Sequence, residues 1–530
     1  MNSSRHFYSK LRYLFITVLV LGISVAAAFA YTGLSFQLSS PVTKEKAPYE
    51  LVHIQCWFKA PWRDQVDCAE LHVKSETSYF VLAVVVLRDE SSEHKSDPLV
   101  YLQGGPGAGA NLDEEGIAGW LRWMRLAQLQ RDLILLDPRG TGHSQPRLDC
   151  SAFDLFNRKI LKENIALADE LKASYQLTDK CFADFQLHSQ LNPHDFGSRQ
   201  SATDVRALMG LLNYGDWNLL GVSYGTRLAL EIARQETVVQ EKESAEYALT
   251  QGKTRLKSMV LDSVYPAGFG GVQTWPQVLD SAMQNFFVGC VVMPECAAAI
   301  SGSAQVTPKA QVLEQRFMAA LQHLKNHPVN ITVPRWDGEA PIYFLVNDHR
   351  FLSASFSAIY NPSRWPQVAA AVRAVELGKS NAIKALLAPY LNRSFSSNFN
   401  SLTFAAVDCA DNPIQAETDY RAAVEAYPLF SDYTRDQWQF QTCHELNKYR
   451  TKDVYLELVK PNVPSLLLAG ALDPITPLAW AQQLKRQWPE TQLVVRKNLA
   501  HSVLSDDVCL LQNLGGFFNA PEQTFTACQH

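Results

Sequence analysis

The sequence has no C-x-x-C pair and no H-E-x-x-H signature, and its 13 histidines are scattered, so the usual zinc-holding sets are missing. It also lacks a G-x-x-x-x-G-K-[ST] loop and a G-x-G-x-x-G turn with an acid after the next strand, which sets nucleotide binding aside. There is no internal repeat, low-complexity tract or long run of like charge. A net charge of −5 over 530 residues, with an isoelectric point near 6.2, provides no basic footprint for nucleic acid or an anionic membrane. Beyond residue 30 no stretch is long and apolar enough to span a bilayer.

What is present begins with an address. Residues 1–12 carry Arg5, Lys10 and Arg12 without an acid, and 14–30 form an unbroken apolar and small-residue run ending Ala28-Phe29-Ala30. That is the layout of a secretory signal with an A-x-A-like cleavage site; an uncleaved anchor is the alternative, because the run lies at the lower limit for a span. Either way the remainder is expected to be exported, periplasmic or secreted. A composition of 47% apolar, 11% aromatic and 19% charged residues supplies a sizeable core. Ten cysteines fall into near neighbours, Cys56 with Cys68, Cys150 with Cys181, Cys290 with Cys296, Cys409 with Cys443 and Cys509 with Cys528, and sequential disulfides are the simplest expectation.

The chain is organised around residues 216–234. The apolar run 217–222 stops at a serine between two glycines, and 226–234 take up helical spacing. The pentad Gly221-Val222-Ser223-Tyr224-Gly225 matches G-x-S-x-G, where a serine sits on a strained strand-to-helix turn with its hydroxyl exposed. Alone the pattern is weak, since a string of common residues recurs by chance; a strand before and a helix after give it weight.

Further apolar runs at 79–87, 99–102, 132–136 and 256–262 read as strands, with helical spacing at 201–212. The second opens into Gly104-Gly105-Pro106-Gly107-Ala108-Gly109, a loop suited to present a backbone N–H to an oxyanion; Gly105 is one candidate donor and the N–H of Tyr224 the other. Asp137-Pro138-Arg139-Gly140-Thr141-Gly142-His143-Ser144 reads as a rigid supporting turn, and the polar segment 234–255, with Glu236, as a solvated insertion. Strands alternating with helices imply a mostly parallel sheet covered on both faces. From about 275 to 390 helical patterns dominate, as expected of a cap over the strand ends. Strand signals resume at 463–468, leading to Asp473, and at 491–495, leading to His501. The order Ser223, Asp473, His501, with each residue just past a strand, is that of the α/β-hydrolase triad. The expected layout is an export segment over 1–30, a core over 45–274 and 401–530, and a mainly helical cap over 275–400.

Together the Gly-Gly-Pro-Gly loop, D-P-R-G-T-G-H-S, G-V-S-Y-G-T, G-x-L-D-P-x-T-P and the late A-H-S resemble the exported tripeptidyl and prolyl aminopeptidase group of α/β-hydrolases, from about Cys56 to Cys528. The resemblance implies a serine peptidase that takes short pieces from free peptide N-termini, with Ser223, His501 and Asp473 as triad and with no metal or cofactor. It also points to Asp411, in Cys409-Ala410-Asp411, as a carboxylate for the substrate amine, or as an acid holding a loop near the Cys409 bridge. Prolyl iminopeptidases commonly carry His before the Gly-Gly-Pro-Gly; here Gln103 favours the tripeptidyl-type branch. A carboxylesterase or lipase with the same triad, and a non-catalytic binding protein on the same fold, are the alternatives.

Overall fold

A computed structural model describes residues 48–59, 62–74, 78–189, 191–242, 254–303, 308–336, 338–412, 416–440, 443–446 and 458–526. The export signal and Cys528 lie outside the described residues.

The sheet contains β1 (Tyr49–Ile54), β2 (Val66–Lys74), β3 (Tyr79–Leu87), β4 (Lys95–Leu102), β5 (Arg131–Leu136), β6 (Asp216–Val222), β7 (Arg255–Asp262), β10 (Ser465–Gly470) and β11 (Gln492–Arg496). Their order is β1-β2-β3-β5-β4-β6-β7-β10-β11. β5, β4, β6, β7, β10 and β11 run parallel, and β1, β2 and β3 pair antiparallel at one side. Consecutive strand residues face opposite sides of a sheet. In β3, Leu82, Val84 and Val86 accordingly join one apolar cluster, and Ala83, Val85 and Leu87 the other. Burial on both faces is why these strands read as continuous apolar runs. Helices Ser198–Leu212 and Tyr224–Lys242 cover the first face through Val205, Leu208, Leu228 and Ile232. Helices Glu114–Leu126 and Val508–Asn519 cover the second through Ile117, Leu121, Leu510 and Leu514.

The antiparallel β1 and β2 were not signalled by their sequences. Segment 275–394 builds its own apolar core from helices such as Trp275–Val292, Trp365–Glu376 and Asn381–Ser394, joined by Phe430. It also contains a hairpin, β8 (Val329–Val333) paired with β9 (Ile342–Val346), which the expectation of a mainly helical cap did not single out. V-N-I-T-V and I-Y-F-L-V are short and β-branched-rich, and the helical periodicity on either side hides them. The segment from Glu236 differs too. Glu236 is 5% exposed on the helix that follows the serine and pairs with Arg206 at 2.6 Å, so its first turn is buried rather than solvated.

Disulfides join Cys56–Cys68, Cys150–Cys181, Cys290–Cys296 and Cys409–Cys443, a pattern that fits an oxidising compartment. Among the described residues no single helix is long and apolar enough to cross a membrane.

A buried polar latch fastens helix Leu167–Ser189 to helix Asp348–Ala358. Glu170 accepts hydrogen bonds from His349 (3.0 Å) and Arg350 (2.8 Å), and Arg350 also donates to the Ile160 carbonyl. Burial opposes the charge on His349, yet its hydrogen bonds to Asp348 and Glu170 and their charges raise its pKa. A raised folded-state pKa contributes stability that is full below the unfolded value, about 6.5, and is lost as pH rises through the folded value. His349→Ala is expected to lower stability by about 1–3 kcal/mol at low pH. Thermal unfolding should show the gap from wild type narrowing as pH rises; a gap constant with pH would refute the charged latch.

Candidate active site

Parallel strands deliver their carboxyl ends to one edge. β6 ends there in the turn that carries Ser223, whose φ of 56° is the left-handed conformation rarely adopted by residues with a Cβ. The flanking glycines are required by contact. A Cβ on Gly221 would lie 2.4 Å from the Gly225 carbonyl oxygen, and one on Gly225 would lie 2.0 Å from that of Leu102. The helix can therefore leave directly against β4. Its first residue is Tyr224, whose N–H has no partner inside the helix.

The glycine-rich loop lies across this turn. A Cβ on Gly104 would come within 3.1 Å of the Ser223 Cβ and 3.7 Å of its Oγ. Gly105, at φ 130°, lines the same pocket as Ser223. The second half of the loop is held by Asp137 on one side and by Asn398 and Asn400 on the other. Asp137 accepts the Ala110 N–H at 2.6 Å and the His143 N–H at 2.8 Å. Asn398 and Asn400 exchange backbone hydrogen bonds with Gly109 and Gly107, at 3.0 and 2.9 Å. The Asp137 turn thus supports the loop, as its composition indicated, while Arg139 pairs with Asp204 at 2.6 Å rather than with Asp137.

Asp473 and His501 lie beyond β10 and β11. His501 Nδ1 is 2.9 Å from Asp473 Oδ2, and Asp473 also accepts the Thr476 hydroxyl (2.7 Å) and the N–H groups of Ile475 and Thr476 (3.0 and 2.9 Å). Burial works against the Asp473 charge, but the His501 charge and these hydrogen bonds prevail and keep its pKa below the ordinary range. For His501 burial is opposed by the Asp473 charge and hydrogen bond, then by the charge of Asp262, and its pKa is raised. The ring of Tyr360 stands 5.3 Å from the His501 ring.

Ser223 opens into a cavity of about 400 Å³. Gly105, Pro106 and Thr476 line its base; Trp275, Val278 and Tyr360 reach it from the helical segment. Tyr265 and Trp480, stacked at 5.7 Å, form part of the wall. Among the described residues one carboxylate lines this cavity, Asp408. Asn412 donates to Asp408 at 2.8 Å and accepts from Arg227 at 2.8 Å, and the Arg227 guanidinium lies 3.7 Å from the centre of the Tyr265 ring. Burial raises the pKa of Asp408, with Arg227 opposing.

Asp411, expected either to meet a substrate amine or to hold a loop, lies away from the cavity. It is 3% exposed, accepts the Ser198 N–H at 3.0 Å and the Ser198 hydroxyl, and does not line the cavity. Ser198 in turn bonds the Tyr224 hydroxyl at 2.7 Å, so Asp411 supports the turn from behind. Both acids sit on helix Ser401–Asp411, three residues apart, and sequence alone does not say which one meets the pocket. Thr476, Tyr360, Tyr265 and Trp480 were also not singled out. Thr476 stood in the G-x-L-D-P-x-T-P motif, but the aromatic residues carried no local signal. Among the described residues no three His, Cys, Asp or Glu side chains gather as metal ligands.

The model of the alpha/beta hydrolase fold family matches residues 97–289, and that of the TAP-like protein family matches 427–526. The protein has the α/β-hydrolase fold, and its C-terminal region is similar to the TAP-like family. No curated protein matches the sequence. Solved structures similar to it include proline iminopeptidase of Mycobacterium smegmatis, at 15% identity over 86% of this chain and 98% of that one, with a TM-score of 0.35. An esterase from Exiguobacterium antarcticum is 12% identical over 83% and 96%, with a TM-score of 0.33. A thermophilic esterase from Thermogutta terrifontis is 13% identical over 86% and 99%, with a TM-score of 0.35.

The crowding at Gly225 yields a direct test. Gly225→Ala should cost about 1–3 kcal/mol and abolish labelling of Ser223 by a fluorophosphonate. Gly215→Ala, where a Cβ would meet nothing within 4 Å, is the control and should leave both unchanged. Normal labelling of Gly225→Ala would show that the turn tolerates a side chain there.

Proposed function

We propose that the protein is an exported serine aminopeptidase that releases short peptides from free peptide N-termini. The observation that carries this reading is Asp408, the one carboxylate among the described residues in the wall of the aromatic pocket that holds Ser223. A free α-ammonium group is a cation, and aromatic faces beside a carboxylate suit it by charge and by cation–π attraction. The TAP-like C-terminal region and the four disulfides support the same reading.

In the proposed mechanism Ser223 Oγ attacks the scissile carbonyl carbon while His501 takes its proton through Nε2. Asp473, bonded to Nδ1, holds the ring in that tautomer and stabilises the imidazolium. The carbonyl oxygen becomes an oxyanion, received by the N–H groups of Gly105 and Tyr224; such a donor contributes about 3–4 kcal/mol to the transition state. The tetrahedral intermediate collapses as His501 protonates the leaving amine and the C–N bond breaks. Water, deprotonated by His501, then releases the acyl group from Ser223. No step draws on a metal or cofactor.

The reading is tested with Ala-Ala-Phe-aminomethylcoumarin carrying a free N-terminus and with its acetylated form. Wild type should turn over the free peptide only, and Ser223→Ala neither. Asp408→Asn should lose roughly 10- to 100-fold in kcat/KM on the free peptide, mostly through KM, the equivalent of one charge-assisted hydrogen bond. Equal turnover of both peptides, or turnover only of a short-chain ester, would replace this reading with an endopeptidase or esterase.

A further inference from the structure

The end of β7 carries a junction that no motif marked. Asp262 is fully buried beside the site and is engaged through both backbone and side chain. Its carbonyl oxygen accepts the Ser223 N–H at 2.9 Å. Its carboxylate accepts the N–H of Val503 on Oδ1 and that of Leu504 on Oδ2, each at 2.9 Å. The hydroxyl of Ser263 accepts the Ser502 N–H at 2.8 Å, and the Ser263 N–H donates to the Leu468 carbonyl at 2.9 Å. Two adjacent residues thereby bind the nucleophile turn, the three residues that follow His501, and the strand that leads to Asp473.

Backbone strain falls on the same contacts. Ser223, Ser263 and Ser502 have φ of 56°, 59° and 66°. Left-handed backbone at residues bearing a Cβ persists where the surroundings over-determine it, and such residues cluster at functional sites. These three of the seven described non-glycine residues with positive φ are joined by hydrogen bonds to the Asp262-Ser263 pair or belong to it.

We infer that Asp262 and Ser263 form a positioning clamp that fixes the Ser223 turn and the His501 loop in one register. The inference rests on the proposed triad. Neither residue lines the pocket, so both act through Ser223 and His501 rather than on substrate. The clamp also has an electrostatic side. His501 is faced by Asp473, Asp262 and the Tyr360 ring; Asp262 is faced by His501 and, from β4, by Tyr101. Burial pushes the Asp262 carboxyl up to about 6, opposed by the Leu504 and Val503 N–H groups and by His501. Its negative charge helps to raise His501.

The experiment is the second-order rate of Ser223 labelling by a fluorophosphonate across about pH 5 to 9, with thermal unfolding of each variant. This readout needs no knowledge of the substrate. Asp262→Asn is expected to lower the plateau rate about 10- to 100-fold, the effect of a small misplacement of the reacting groups. It should also move the acid limb to lower pH, because His501 loses a neighbouring negative charge. Ser263→Ala keeps that charge and removes only the Ser502 contact; a loss of roughly tenfold with the limb unmoved is expected. A variant Asp262→Asn that melts lower but keeps wild-type plateau and limb overturns the clamp. If that variant does not fold, Ser263→Ala decides, and a wild-type rate overturns the proposal. Continued labelling of Ser223→Ala would instead refute the nucleophile assignment and leave the clamp without a triad to serve.

Discussion

The parallel ladder of β4, β6, β7, β10 and β11 is the constraint on which the site depends. Leu102 pairs with Gly221, Val222 and Leu468 both pair with Asp262, and Gly470 pairs with Arg496. That register brings the strand ends level, so Gly105, Ser223 and Thr476 come to line one cavity and His501 meets Asp473. No single loop has to find the site alone. The loops still need local fastening, because a strand end fixes where a loop starts and not where its side chains point. Asp137 supplies this for the glycine-rich loop, Thr476 for Asp473, and Asp411 through Ser198 for Tyr224.

Much of this was legible in the sequence. The buried strands announced themselves as apolar runs because both faces of the sheet are covered, and the G-x-S-x-G turn because its glycines answer steric contacts at Leu102 and Gly225. β1 and β2 escaped because the half-buried β1 and the mixed D-C-A-E-L-H of β2 lack such a run. Asp473 and His501 were singled out through their order and their place after a strand, which are properties of topology. Asp408 and Asp411 could not be separated that way. Three residues is nearly one helical turn, so both lie toward one side of the helix, and only packing against Ser198 divides them. Asp262 looked like the last residue of a strand. Its function lies in contacts with residues 223 and 502–504, and such long-range pairings leave no local pattern.

Four acids around the site show how partner charge sorts otherwise similar groups. Asp262, Asp408 and Asp411 are all raised by burial, two of them to about 6, although each accepts hydrogen bonds. Asp473 is just as buried, yet it alone of the four is held below the ordinary carboxylate range, because a histidine sits in direct contact with it. Neutral donors therefore do not offset desolvation here, and a directly bonded cationic partner does. Asp408 has Arg227 near but reaches it through Asn412 rather than by a direct bond. An ammonium group entering the pocket would give Asp408 what His501 gives Asp473. Its binding would then be coupled to proton release from Asp408, so affinity for an amine should climb with pH over the range in which the empty site still holds that proton. A neutral ester, which offers no such charge, would leave Asp408 raised and bind without that dependence. The carboxylate on which the proposed amine recognition rests would thus also set the pH signature by which an amine-bearing ligand differs from an uncharged one.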